Sequence, residues 1–242
     1  MTLLGNLYNR VYDKFCGVRP NLYPWHFQWL GVKDLYSDLK EILPSLKGRV
    51  LDVGCGEKPY ESWLRSADEY IGVDIRSGPK VNFVIDYAKA WPLEDRTFDV
   101  VLCTQVLEHA VDIEQVLGLI TQVLKPGGTL IVTTPFIYNE HGSPDDYRRF
   151  SIHGLERLLS QQYEVVQTKL EGRIGSVVGL LCLNWVEAVV NQSKRIRLLK
   201  GLFLPLWILF CCAVNSMSRL IDKTDPTSAF YGNVLLVARK RL

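Results

Sequence analysis

Val50-Leu51-Asp52-Val53-Gly54-Cys55-Gly56 and Tyr70-Ile71-Gly72-Val73-Asp74 decide how this chain is read. In each, a short apolar run ends in a carboxylate, and the first continues into Gly-x-Gly. A buried parallel strand looks like this where it enters a tight turn that cradles a ligand. Glycine has no Cβ, so it allows unusual φ and a close approach of ligand to backbone. Asp74 lies roughly 20 residues past the turn, where the second strand of such a fold offers an acid to ribose hydroxyls. The third glycine of a dinucleotide fingerprint is missing, its place taken by Pro59 in Glu57-Lys58-Pro59-Tyr60. Glu57 would repel a pyrophosphate, and no Gly-Lys-Ser/Thr is present for nucleotide phosphates. The turn therefore suits a nucleoside without phosphates.

Alternation of strand and helix extends outward from this pair. Val50–Val53, Glu69–Val73, Val81–Ile85, Phe98–Cys103 and Thr129–Thr134 read as strands. A short helix is expected over Tyr60–Arg65, and a longer one over Asp112–Val123, before the Lys125-Pro126-Gly127-Gly128 turn. Strands alternating with helices imply right-handed parallel crossovers and an open, doubly wound sheet. Ligands in such sheets bind at the carboxyl ends of the strands, where Asp52, Asp74, Asp86 and Thr104 fall. A helix over Ser151–Ser160 and strands at Tyr163–Gln167 and Asn233–Arg239 complete a seven-stranded α/β sheet.

The Asp52-x-Gly54-x-Gly56 turn resembles the first motif of class I S-adenosylmethionine (SAM)-dependent methyltransferases. Val106-Leu107-Glu108-His109, after Phe98-Asp99-Val100-Val101, resembles the fourth-strand motif of their ubiquinone-biosynthesis-like group. Leu124-Lys125-Pro126-Gly127-Gly128 resembles the turn before their fifth strand. These matches run in order over residues 48–136. The resemblance implies a Rossmann-like methyltransferase with SAM as cofactor, held by Asp52, Gly54, Cys55, Gly56, Asp74, Ile75, Asp86, Tyr87, Thr104 and Gln105. In it, Asp86 of Asp86-Tyr87-Ala88 would accept from the adenine amine. The pattern H-x-x-P-x-D-Y-x-R-F, His141 to Phe150, resembles a subset associated with bacterial surface-glycan synthesis.

Composition bounds the alternatives. The 242 residues suffice for one large α/β domain with insertions. With 48% hydrophobic and 22% charged residues, the chain is globular. A net charge of +2 gives no support for a nucleic-acid partner. The opening Met1-Thr2-Leu3-Leu4-Gly5-Asn6 lacks the pattern of a secretory signal. Six cysteines without C-x-x-C spacing read as small hydrophobes of a reducing compartment, with no metal site. A cytoplasmic enzyme is expected, at the inner face of a membrane if the insertion binds lipid. Oligomeric state is left open.

Four segments are expected: an N-terminal helical cap (1–46), the SAM-binding domain (47–170), an apolar helical insertion (171–229) and a last strand (230–242). The last two strands should pair antiparallel, yet about 60 residues separate them, far beyond an ordinary loop. This insertion holds two apolar stretches, Val177–Val190 and Gly201–Val214, flanking Lys194, Arg195, Arg197 and Lys200. Pro205 and their short length argue against a comfortable bilayer span. Either an interfacial helix pair with a basic flank or a packing or dimerisation subdomain fits.

Methyl transfer to a hydroxyl needs a positioned nucleophile and a base for its proton. His141, in the loop after the fifth strand, is the candidate base, with His109 and Asp146 as substitutes. Tyr147 and Arg149 are candidates for a substrate hydroxyl or anion, unless Arg149 merely pairs with Asp145 or Asp146. Tyr138 and Trp25 are candidates for stacking on the substrate. The reading is O-methylation of a glycan or lipid-linked sugar. A quinone-like lipid acceptor and a non-catalytic SAM-binding subunit are the alternatives.

Overall fold

The structure is a computed structural model that describes residues 3–193 and 200–242. In chain order the elements begin with α1 (Leu3–Cys16), β1 (Gly17–Val18), β2 (Asn21–Leu22) and α2 (Trp29–Ile42). The alternating core follows as β3 (Gly48–Val53), β4 (Ala67–Asp74), β5 (Phe83–Val84), β6 (Phe98–Thr104), α3 (Ile113–Val123) and β7 (Leu124–Pro135). After it come α4 (Ile152–Leu159), β8 (Tyr163–Glu171), α5 (Ile174–Gln192), α6 (Leu204–Thr224) and β9 (Asn233–Lys240). The chain divides into two compact units, Ser37–Glu171 with Asn233–Leu242, and Met1–Tyr36 with Gly172–Gly232. The N-terminal segment and the insertion thus belong to one unit, and the last strand to the other.

The sheet unit is a seven-stranded layer in the order β5-β4-β3-β6-β7-β9-β8. β5, β4, β3, β6 and β7 run parallel, β9 is antiparallel to β7, and β8 is antiparallel to β9. The expected Rossmann-like methyltransferase sheet is therefore present. Its central strands are buried on both faces: Val50, Leu51, Val53, Val101, Leu102, Cys103 and Leu130–Val132 have no appreciable exposure. That is why they read as continuous apolar runs. Helix starts are capped as their sequences suggest. Asp112 accepts from Gln115 N at 3.0 Å ahead of α3, and Ser151 from Gly154 N at 3.2 Å ahead of α4.

Three local expectations are corrected. No helix forms over Tyr60–Arg65; the β3–β4 crossover is a run of turns. Lys58 adopts a left-handed φ of +51° just ahead of it, and the turns that follow still bury Tyr60, Trp63 and Leu64, the i, i+3, i+4 spacing that made the segment read as a helix. The third strand shrinks to Phe83–Val84. Beside it the Asn82 side chain accepts from Gly72 N (2.9 Å), so a side chain replaces a ladder bond. The Lys125–Gly128 turn is drawn into the start of β7, with a register shift opposite Phe98–Val100.

In the helical unit, Tyr12, Cys16, Leu183, Leu204, Trp207 and Cys211 form a core. The apolar stretches extend to helices of 19 residues (α5) and 21 residues (α6), longer than expected. Pro205 does not interrupt α6; it sits in the first turn, where its missing N–H has no partner to lose. The small residues Gly175 and Gly179 let the helices approach. A Cβ at Gly175 would lie 2.2 Å from the Ser218 carbonyl oxygen, and one at Gly179 would lie 2.0 Å from the Ser218 hydroxyl. Trp25 packs against the core of this unit and donates its indole N–H to the Phe15 carbonyl at 2.7 Å. Lys194, Arg195 and Arg197 lie outside the described residues. Lys200 is not a solvated cation as expected: it is paired with Glu187 and sits over the Tyr8 and Trp207 rings at 5.2 and 5.0 Å. All six cysteines are free, with Cys182 exposed.

Replacing Gly175 with Ala should lower the thermal midpoint, at a cost of about 1–3 kcal/mol, because the added methyl meets backbone that cannot swing aside. Thermal unfolding followed by circular dichroism checks this. Gly118→Ala, where a Cβ meets nothing within 4 Å, is the control and should leave the midpoint no lower.

Candidate active site

The turn after β3 is built by two backbone bonds. Gly54 N and Cys55 N donate to the Val73 carbonyl at 2.8 and 3.1 Å, drawing the end of β3 to the end of β4. Gly54 and Gly56 take φ of +73° and +48°. A Cβ at Gly54 would lie 2.4 Å from Val106 Cγ2, so only glycine fits there. A Cβ at Gly56 would meet nothing within 4 Å, which leaves a clear face for a ligand. Gly56 N donates to Asp74 Oδ2 at 3.0 Å, and Arg76 N to Oδ1 at 3.0 Å. Each oxygen of Asp74 keeps a lone-pair site for a hydroxyl, and the side chain is half-buried at the carboxyl end of β4. Ile75, 48% exposed, follows directly.

Asp52 plays a different part from Asp74. It is fully buried, one oxygen accepts from the Tyr70 hydroxyl, and the other has no partner. Burial raises its pKa to about 7, against the pull of Tyr70 and Lys58. Cys55 is buried, its sulfur against the site of a missing Gly72 Cβ at 2.6 Å. Lys58, which the sequence reading passed over, is buried too. Its ammonium donates to the Tyr70 carbonyl (2.9 Å) and Asn82 Oδ1 (2.8 Å), fastening the turn to β4. The orphaned Asp52 oxygen, the open face at Gly56 and the acid at Asp74 together fit an adenosyl cofactor with a cationic end and no phosphates.

The other expected cofactor residues are spread around this turn. The Tyr87 hydroxyl would be 3.7 Å from a Cβ at Gly54, so Tyr87 borders the turn, and burial raises its pKa. Asp86 is exposed and accepts from Ala88 N at 2.9 Å, with Lys89 at 3.0 Å. Those hydrogen bonds hold its carboxylate below the usual range. Thr104 is buried and accepts from the Tyr60 hydroxyl at 3.1 Å. Gln105, at φ +56°, turns back to β7, donating through N to the Thr133 carbonyl (2.8 Å) and through Nε2 to Thr133 Oγ1 (3.2 Å).

Beyond β6 lies a second cluster. Glu108 is fully buried and neither carboxylate oxygen has a hydrogen-bond partner. His109 Nε2 and His141 Nε2 stand 3.8 and 3.9 Å from Glu108 Oε1. The imidazoles meet edge to face at 4.9 Å, and Tyr138 meets His141 the same way at 5.1 Å. His109 Nδ1 bonds the Asp145 carbonyl, which can only accept, so that nitrogen carries a proton. Gly142, at φ +70°, lets the loop pass; a Cβ there would lie 3.2 Å from the His109 ring. Burial pushes Glu108 up to about 8. Burial also lowers His141 from its ordinary value, with Asp146 opposing. One donor atom each of Glu108, His109 and His141 falls within 4.8 Å of the others, so the trio is also a donor set for a divalent cation.

Two sequence assignments fail here. Arg149 has no N–H to spare for a substrate. Nη1 and Nη2 grip Asp146 at 2.6 Å each, and the remaining donors reach the carbonyls of Tyr138 (3.3 Å), Asn139 (2.9 Å) and Arg148 (2.7 Å). Asp146 is not a base at neutral pH, because the Arg149 guanidinium holds its carboxyl far below the usual range. Asp146 instead positions His141: its Oδ2 accepts from His141 N at 2.8 Å and lies 3.4 Å from His141 Nδ1. Tyr147 is 47% exposed with its hydroxyl on Asp145 Oδ1 at 2.9 Å, and its N donates to the Glu108 carbonyl at 2.9 Å. Arg148 bonds the Ala110 carbonyl and, at 3.0 Å, that of Val111. The role of Glu108 was missed; the density of Glu, His and Asp at 108–109 and 141–146 was the available signal.

The profile of the methyltransferase domain matches residues 27–168. The chain belongs to that family. S-Adenosylmethionine is accordingly its cofactor. Human mitochondrial ubiquinone biosynthesis O-methyltransferase is 36% identical over 110 residues, 38% of this chain and 30% of that protein. The Hahella chejuensis ubiquinone biosynthesis O-methyltransferase is 30% identical over 133 residues, 44% and 56% of the two chains. The chain thus spans between about a third and a little over half of these relatives' lengths. Among solved structures, a SAM-dependent methyltransferase from Archaeoglobus fulgidus aligns with TM-score 0.55 at 15% identity, covering 96% and 99%. The [4+2]-cyclase SpnF aligns with TM-score 0.55 at 21% identity, covering 86% and 82%. These share the fold, and their different names show that the fold alone does not set the reaction.

Asp74→Ala should weaken SAM binding by about 1.5–3 kcal/mol, through loss of hydrogen bonds to a charged acceptor. Titration calorimetry checks this; unchanged affinity would remove Asp74 from the site. Glu108→Gln gives a pH-dependent result. Glu108 holds its proton in the folded state up to about pH 8, and the unfolded chain loses it near 4.5. Between those values the folded state binds more protons, so the wild type loses stability as pH rises. The variant, with no proton to lose, should gain in thermal midpoint over wild type from pH 5 to pH 8.

Proposed function

We propose that the chain is a SAM-dependent O-methyltransferase, acting on a hydroxyl of a glycan or lipid-linked sugar, with His141 as the general base. The observation that carries this is the Arg149–Asp146–His141 series, which fixes an imidazole by a buried, ion-paired carboxylate. The orienting carboxylate and the base are arranged as a nucleophile-activating pair requires. The bound sulfonium supplies an electrophilic methyl group. As the acceptor oxygen bonds to that carbon, the C–S bond breaks and its electron pair stays on sulfur. The hydroxyl proton passes to His141 Nε2, with Nδ1–H towards Asp146. Burial keeps His141 neutral at physiological pH. Glu108, protonated up to about pH 8, adds no negative charge that would hold a proton on the imidazole.

The H-x-x-P-x-D-Y-x-R-F loop that builds this series supports the sugar acceptor. The names of the curated relatives support a second reading, a quinone-like lipid phenol. Deprotonation of either hydroxyl uses the same His141 chemistry.

His141→Ala should lower turnover by roughly 10²–10⁴ while SAM affinity stays nearly unchanged. Wild-type turnover should be flat from neutral pH to about pH 8, where Glu108 ionises, and should fall on the acid side, at lower pH than for an ordinary imidazole, as His141 protonates. The assay follows a labelled methyl group from SAM into membrane extracts, separated into glycan and quinone fractions. Label in neither, with SAM bound, supports a non-catalytic subunit. Activity lost to a chelator and restored by a divalent cation reassigns Glu108, His109 and His141 to metal binding.

A further inference from the structure

We propose that the helical unit seats on an anionic phospholipid surface through the outward face of α5 and α6. This goes beyond the acceptor reading and is independent of the methyl-transfer site. The outward residues are unusual. On α6, Leu206, Leu209, Phe210, Met217, Leu220 and Ile221 are between 42% and 63% exposed, at the spacing of one helical face. On α5, Val178, Trp185 and Val189 are 46–67% exposed, again on one face. The turn leading into α6 adds Leu202 and Phe203. A water-soluble helix puts such a stripe inward and charge outward. Exposed apolar area of this extent marks an interaction surface.

Several polar groups of these helices point the other way, into the unit, while Ser216, Arg219 and Lys223 of α6 are exposed. Asn215 is buried and donates to the Pro24 and His26 carbonyls at 2.7 and 3.1 Å. Ser176 and Ser218 are buried, and Ser176 N donates to Asp222 at 2.9 Å. Glu187 is neutralised by Lys200. Gly175 and Gly179, four residues apart, bring α5 against α6. Small residues and internal polar bonds at the contact, with apolar residues outside, are the packing of helices in lipid. Both helices are long and apolar enough to cross a membrane, and only 33% and 28% of their apolar windows are buried. A core helix of a soluble protein would be mostly buried.

Charge selects anionic lipid as the occupant. Apart from the Glu187–Lys200 pair, the sequence of α5, α6 and the segment joining them, Ile174 to Thr224, carries Lys194, Arg195 and Arg197 between the helices and Arg219, Asp222 and Lys223 in the last turns of α6, five cations against one acid. Such an excess of cations in the sequence of this unit's two helices and their connection suits anionic headgroups. The three between the helices argue against a hairpin crossing the bilayer, which would carry them to the far side against the positive-inside preference. The helices therefore lie along one leaflet, apolar face down.

The experiment uses the full chain with vesicles of phosphatidylcholine alone or with added phosphatidylglycerol. Flotation should show binding to the anionic vesicles, weakened by salt. Trp185 emission should shift to the blue and be quenched by brominated acyl chains. Replacing Lys194, Arg195 and Arg197 with Gln should weaken binding on the order of a hundredfold, at ~0.7 decade per cation. The Leu206→Gln, Leu209→Gln, Met217→Gln variant should also lose flotation. Unchanged SAM affinity and circular dichroism report that it is folded, and a more conservative Leu209→Gln variant gives the same sign if the triple variant unfolds. No flotation with either vesicle at low salt overturns the proposal. So does a lipid-free dimer in sedimentation that the outward-face variant abolishes, because the face then belongs to a second copy. SAM binding without flotation overturns this inference alone, and flotation without methyl transfer overturns only the acceptor reading.

Discussion

The hydrogen bond from Gly54 N to the Val73 carbonyl, 2.8 Å long, sets the geometry of the sheet's ligand-facing edge. It can form only if the chain reverses sharply at the end of β3, and that reversal requires a positive φ at Gly54 with no Cβ against Val106. Once made, it delivers Gly56 N to Asp74, so the acid of the neighbouring strand is oriented by the turn it serves. Asp52 lies beneath and is excluded from water. Its raised pKa means that the ionised form is accommodated at a cost, which an opposite charge at its unpartnered oxygen would relieve. Asp52 and Asp74 thus divide the work, one fully buried beneath the turn and the other offering lone pairs at the strand end.

The second cluster shows the same economy of charge. Arg149 is saturated by Asp146 and backbone carbonyls, and its effect reaches the site only through Asp146 and His141. Removing such a cation would leave a carboxylate with 2% exposure unpaired, which is far costlier than losing an exposed pair. Phe150, buried with its N on the Pro135 carbonyl at 3.1 Å, closes the loop back onto the end of β7. The C-terminal end of the loop that holds His141 is therefore anchored twice, by Arg148 to the segment after Glu108 and by Phe150 to the end of β7.

The sheet was legible because its central strands are buried on both faces, and such strands leave uninterrupted apolar runs in any sequence. The edge was less legible. Phe83 and Val84 are exposed, so burial did not pattern them, and Asn82 does with a side chain what pattern assigns to backbone. The Tyr60–Arg65 segment buries Tyr60, Trp63 and Leu64 at helical spacing, so it reads as a helix, although its backbone after the left-handed Lys58 forms only turns. In the site, residue type pointed to His141 and to the Gly-x-Gly turn. It could not rank Arg149 as scaffold rather than ligand, because both roles ask for the same guanidinium. Glu108 escaped notice because burial, not identity, gives it its character.

The helical unit exposes a limit of a different kind. Periodicity reports that a helix has an apolar stripe but not which way the stripe faces. α5 is apolar nearly all round, and in α6 the buried positions include Asn215 and Ser218 while leucines face out. Only the direction of the polar bonds breaks the tie. Asn215 has two carbonyls to satisfy inside the unit, and Asp222 has Ser176, so turning either helix over would strand buried polar groups at a cost of about 1–3 kcal/mol each. The outward orientation of the leucines is thus fixed by the hydrogen bonds opposite them. An exposed apolar face held in place by internal polar bonds is a built surface rather than a failure of packing.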